Sequence, residues 1–137
     1  MKRTATAAWE GTVKEGKGTL TTKSKTLDEQ NYSYHSRFED GAGTNPEELI
    51  AAAHAGCFTM ALSAKLTEAG HTPGKLKTDC AVDFRDQAIR ESHLTTEAHV
   101  PGIGAAEFER IINDAKENCP ISKALDTEIT LEFTLHA

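Results

Sequence analysis

The chain has 137 residues, with 15 Lys and Arg against 21 Asp and Glu and a formal charge of −6. It has no basic run, which excludes counterion-release binding to nucleic acid, and its length suits one domain spanning 1–137. The basic opening Met1-Lys2-Arg3 precedes no apolar stretch of about 7–15 residues and no transmembrane candidate is read, so a cytoplasmic protein without membrane contact is expected.

In chain order, residues 2–38 are rich in Thr, Tyr, Val and Trp with Gly11, Gly16 and Gly18 between them, which predicts a three-stranded β-meander. Asp40-Gly41-Ala42-Gly43 is a loop. A helix begins at Asn45-Pro46-Glu47-Glu48, where Asn caps, Pro suits the first helical position and the acids suit the positive helix end. It should run over residues 46–69, because Gly70 accepts the left-handed stop conformation and Pro73 follows.

From Leu49 to Leu62 the polar side chains of this helix are His54 and Thr59, so it should be covered on every side. A second helix over about 106–118, with Phe108, Ile111, Ile112 and Ala115 on one face, covers one side only. A homodimer is therefore expected, with a second copy packing on the small residues Ala51, Ala52, Ala53, Ala55, Gly56, Ala61 and Ala64. Alternation of apolar residues predicts strands over 75–85, 94–100 and 129–135. Strands on both sides of a long helix, without a βαβ rhythm, give an α+β class with antiparallel sheets packed against helices.

Three cysteines in a reducing compartment read as thiols, metal ligands or redox groups before structural disulfides. Cys57 in an apolar helix is either an inert small hydrophobe or a reactive thiol that needs a cation, for which Arg37 and His54 are the candidates. Cys119 stands before Pro120, where the chain must leave helical geometry, and a thiol there fits the resolving role toward a sulfenic acid on Cys57. Cys80 falls on the core face of a strand.

Glu47 precedes Cys57 by ten residues, about 15 Å along a helix at roughly 1.5 Å per residue, so the two cannot touch within one helix. In antiparallel copies of the helix Glu47 would act in trans, holding Arg37 by a bidentate pair; the alternative is simple support of the helix start. Two rival chemistries stay open: a zinc site at His54 and Cys57 with Cys119 as a third ligand, and a cysteine hydrolase with His54 as base. Leu49, Ile50, Phe58 and Met60 read either as core or as an apolar wall for a substrate.

Asn45-Pro46-Glu47-Glu48-Leu49, His54-Ala55-Gly56-Cys57-Phe58-Thr59-Met60-Ala61-Leu62-Ser63 and Cys119-Pro120-Ile121-Ser122-Lys123-Ala124-Leu125 closely resemble the OsmC/Ohr family of osmotically inducible and organic hydroperoxide resistance proteins. Ser36-Arg37-Phe38-Glu39, Gly43-Thr44 and Val100-Pro101-Gly102-Ile103 extend the likeness along the chain, and the wording is that of the OsmC branch. The resemblance implies an intertwined homodimer with two central helices enclosed by sheets, acting as a thiol peroxidase without metal or organic cofactor. It implies Cys57 as peroxidatic cysteine, Cys119 as resolving cysteine, Arg37 as active-site arginine and Glu47 as its orienting carboxylate. Organic hydroperoxides are the implied substrates, hydrogen peroxide a poorer one, and a dithiol such as a lipoylated protein the reductant. Gly56 departs from the Ala expected in many relatives. The competing class is a non-catalytic dimeric binding or stress protein with inert buried cysteines.

Overall fold

A computed structural model describes residues 1–137. The chain divides into two compact units, residues 1–49 and 50–137.

In the first unit β1 (Ala5–Glu10), β2 (Lys17–Thr22) and β3 (Gln30–Tyr32) form an antiparallel sheet in sequence order. Gly18 lies opposite both Trp9 and Tyr32. A Cβ there would meet the Trp9 ring at 2.5 Å and the Tyr32 ring at 2.6 Å, so only Gly lets the two rings approach across the sheet. Strand β1 is almost wholly exposed. A short helix α1 (Tyr34–Phe38) follows, which the sequence pattern did not reveal. Five residues are too few to show periodicity; its start is fixed by reciprocal bonds between the Ser33 and Ser36 side chains and each other's backbone N–H.

Helix α2 (Pro46–Glu68) begins as its sequence dictates: Asn45 Oδ1 accepts the Glu48 N–H at 2.7 Å. It continues into the second unit, which adds β4 (Leu76–Arg85), β5 (Ala88–His99), α3 (Ala105–Asn118), α4 (Pro120–Ala124) and β6 (Glu128–His136). Strands β4 and β5 form a hairpin turning at Asp86 and Gln87, both at positive φ (52° and 59°), as a two-residue turn with the twist of the strands demands.

The class is α+β, but one pairing corrects the expectation of purely antiparallel sheets: β6 lies parallel to β5. The connection from β5 passes through α3 and α4, long enough to return the chain to the same end of the sheet.

The core of this unit joins Phe58, Leu62 and Leu66 of α2 to Leu94 and Ala98 of β5, Val100 after it, and Phe108, Ile111, Ile112 and Ala115 of α3. On α2 the buried positions are His54, Phe58, Leu62 and Leu66, a four-residue spacing that marks a single stripe. Away from it Ala53, Gly56, Met60 and Ala64 are exposed, Met60 by 77%. The helix is thus covered on one side within the chain, not all round.

A second correction concerns length. Alpha2 has 23 residues and a mean hydropathy of 1.4 over its most apolar window, enough by length and composition to cross a membrane, with 22% of that window buried. No charge interrupts the stretch between Glu48 and Lys65, and one lysine does not disqualify a span. Its buried stripe makes it the core helix of the second unit.

Candidate active site

Helix α3 ends where Cys119 N–H donates to the Ala115 carbonyl at 2.9 Å, and Cys119 takes φ −58°, ψ 128°. A following proline disfavours helical geometry in the residue before it, so the chain breaks there. Pro120 itself suits the first position of a helix, and α4 starts at once, with the Cys119 carbonyl accepting Lys123 N–H at 3.1 Å. Cys119 thus closes one helix and opens the next, and this double role turns its buried side chain toward α2. Its thiol donates to the Cys57 sulfur at 3.0 Å, although the two are 62 residues apart.

A disulfide needs an S–S distance of about 2.05 Å, so closing the pair requires a movement of roughly 1 Å. Both cysteines are free thiols. Burial pushes the Cys57 thiol above its ordinary range and a like charge on the neighbouring Cys119 sulfur acts the same way, whereas the Ile121 backbone works against them.

His54, a turn before Cys57 on α2, is fully buried. Its Nδ1 meets Ser92 Oγ of β5 at 2.6 Å and its Nε2 meets Ser122 Oγ of α4 at 2.7 Å. Burial lowers its pKa, so the ring is neutral, with one nitrogen donating and the other accepting. Of the three roles left open for His54, the cation beside Cys57 does not fit a neutral ring, and with both nitrogens on serine hydroxyls neither is left for zinc or for a proton from Cys57. Cys80 is the core thiol expected of it, 3.2 Å from Ser92 Oγ and pushed up by burial. Phe58 belongs to the core, and Met60 points to the exposed side of α2.

The first unit holds the other two predicted residues. Arg37 of α1 donates to Glu47 from Nε at 3.1 and 3.2 Å and from Nη2 at 2.7 Å. Glu47 is 13% exposed and Arg37 38%, so the fork fixes the guanidinium on a carboxylate largely out of water. One chain makes this pair by itself. The guanidinium also lies over the Phe38 ring at 5.2 Å. Beside it is an apolar cleft of about 230 Å³ lined by Trp9, Val13, Tyr32, Tyr34 and Phe38. Glu48 accepts from Thr44 Oγ1 at 2.8 Å and supports the helix start.

Ile121, Ser122 and Ser92 were not singled out from the sequence. Pro120 after Cys119 signals a helix restart with free N–H groups, which could have pointed to Ile121. Ser122 stands within the Cys119–Leu125 motif, but nothing local marks its role or singles out Ser92; the two lie 68 and 38 residues from His54. Away from the cysteines, Glu97, His99 and His136 bring potential ligand atoms within 4.8 Å of one another, all exposed.

Residues 39–134 match the family model described as OsmC-like protein. The chain is 51% identical over 133 residues to peroxiredoxin OsmC of Escherichia coli (strain K12), covering 94% of this chain and 93% of that one. It is 34% identical over 98 residues to the organic hydroperoxide resistance protein of Xanthomonas axonopodis pv. citri (strain 306), covering 69% and 68%. Among solved structures, an OsmC-like protein from Mycoplasma pneumoniae superposes with a TM-score of 0.76 at 18% identity, covering 100% of this chain and 99% of that one. The organic hydroperoxide resistance protein OhrB of Bacillus subtilis does so with a TM-score of 0.66 at 23% identity, covering 96% and 98%.

Proposed function

We propose, from the fact that this chain belongs to the OsmC-like protein family, that it is a cysteine-dependent peroxidase reducing organic hydroperoxides, and hydrogen peroxide less well. The observation that carries the reading is the 3.0 Å approach of the Cys57 and Cys119 sulfurs.

The Cys57 thiolate attacks one oxygen of the hydroperoxide, the O–O bond breaks, and the alkoxide leaves as an alcohol after taking a proton. Cys57 is then a sulfenic acid, oxidised by two electrons. The Cys119 sulfur attacks it, the hydroxyl leaves as water with the thiol proton, and the disulfide forms. An external dithiol returns the two electrons by exchange. By family resemblance, lipoylated protein is its source.

Within the chain burial pushes the Cys57 thiol up, so the reaction needs a cation. Arg37 fills that role, its plane held by Glu47, and its fork also polarises the peroxide oxygen. The aromatic cleft beside Arg37 supports an organic rather than a purely polar peroxide. The working unit is a homodimer, supported by the exposed small-residue side of α2, which a second copy would cover. All redox chemistry is carried by the thiols, without metal or cofactor, in a reducing compartment such as the cytoplasm, where the disulfide is transient.

Thiol titration of the reduced protein after one equivalent of cumene hydroperoxide tests this. Loss of Cys57 and Cys119 with Cys80 retained is the expected result, and Cys119→Ser should form no intramolecular disulfide. Full peroxidase activity in Cys57→Ser would overturn the reading and leave the inert-thiol alternative.

A further inference from the structure

The reaction proposed above needs the resolving cysteine to stay in register with Cys57 while the Cys57 sulfur gains and loses an oxygen. Cys119 and Pro120 belong to a break between helices, and α4 has only five residues. A helix far shorter than about 12 residues does not hold itself, so its position must come from tertiary ties.

Two ties connect it to successive turns of α2. The Cys119 sulfur, at the cap of α4, meets the Cys57 sulfur at 3.0 Å, and Ser122 Oγ meets His54 Nε2 at 2.7 Å. The first tie is disturbed by the reaction, because Cys57 is the reacting atom. The second lies away from the sulfur and is anchored from behind: His54 Nδ1 meets Ser92 Oγ on β5, and Ser92 meets Cys80 on β4. The imidazole therefore couples α4 to the sheet through α2. It is fully buried, as is Ser92, and Ser122 is 9% exposed, so water does not replace a lost partner freely.

We infer that His54 is a positioning residue of this reaction, which through Ser122 keeps the Cys119 segment in reach of Cys57 after the peroxide has reacted. The inference rests on the peroxidase reading. Sulfurs that start 3.0 Å apart must part to admit the sulfenic oxygen and then close to about 2.05 Å. A hydroxyl–imidazole bond can stretch and re-form, so α4 returns to the same register; apolar packing alone sets no such direction.

The test separates the two chemical steps in the full-length reduced protein. Rapid mixing with cumene hydroperoxide, acid quenching and thiol counting by mass resolve oxidation of Cys57 from closure of the disulfide. In Ser122→Ala, oxidation should stay within about twofold while closure slows roughly tenfold to a hundredfold, the scale of an ångström misplacement. Dimedone should then trap the sulfenic acid on Cys57, and Ser122→Thr, which keeps the hydroxyl, should restore closure. His54→Asn cuts the same tie from the other end and should give the same split, which serves if Ser122→Ala folds poorly. Closure at the unaltered rate in both variants, or an equal fall of both steps, would overturn the inference. If the unaltered protein fails to oxidise at Cys57, the peroxidase reading itself falls and this inference with it.

Discussion

Arg37 meets Glu47 with two of its nitrogens, one of them at 2.7 Å, on a carboxylate that is 13% exposed. A lysine at position 37 would keep the charge and lose the planar fork, so Arg37→Lys should lower the rate of Cys57 oxidation by about tenfold or more. Because burial pushes the Cys57 thiol up, removing the charge altogether in Arg37→Gln should also move the pH–rate profile upward, toward and beyond the ordinary thiol range. Stopped-flow oxidation of the two variants across pH checks both; unchanged kinetics would remove Arg37 from the reaction. His54 makes a separate pH prediction. Its folded pKa lies below the unfolded value of about 6.5, so the unfolded chain binds the proton more readily. The stability due to a neutral His54 is present above that pH and is lost as pH falls toward the folded pKa. Thermal unfolding should show this acid loss in the unaltered protein and a reduced one in His54→Asn.

At the scale of elements, α2 serves two purposes with two faces. Its four-residue stripe fills the core, and its small-residue side stays open within the chain. Gly56 lies on the open side, and a Cβ added there meets nothing within 4 Å. Glycine costs about 0.5–1 kcal/mol relative to alanine in a helix interior. Gly56→Ala should therefore raise the melting temperature by about 2–5 °C for a chain of this size, measured by calorimetry. A fall instead would mean that another helix approaches this position too closely for a methyl group. The break between α3 and α4 works differently: Cys119-Pro120 ends one helix and begins another, which gives the resolving thiol its direction without a loop.

For the whole molecule, the proposed homodimer is the property with the clearest single test. Met60 is 77% exposed on the uncovered face of the most apolar helix. A charge there would be buried unpaired between two copies, so Met60→Glu should shift the sedimenting species from two chains toward one, with a native circular dichroism spectrum retained. An unaltered mass would place the contact elsewhere.

The amino-acid sequence by itself determined the α+β class, the course of α2 from its Asn45 cap and the course of α3 from its apolar face, because caps and periodicity are local. The motifs around Cys57 and Cys119 carried the family, and Arg37 and Glu47 came with it. The sequence did not reveal α1, whose serine cap is too short to read, or the parallel pairing of β6, which depends on how far a crossover reaches. Only the tertiary structure decided that Cys57 and Cys119 stand sulfur to sulfur. Only it decided that His54 is a neutral buried bridge between Ser92 and Ser122 rather than a cation or a ligand. Both depend on residues dozens of positions apart, and a side chain's partners there are set by packing, to which no local pattern gives access.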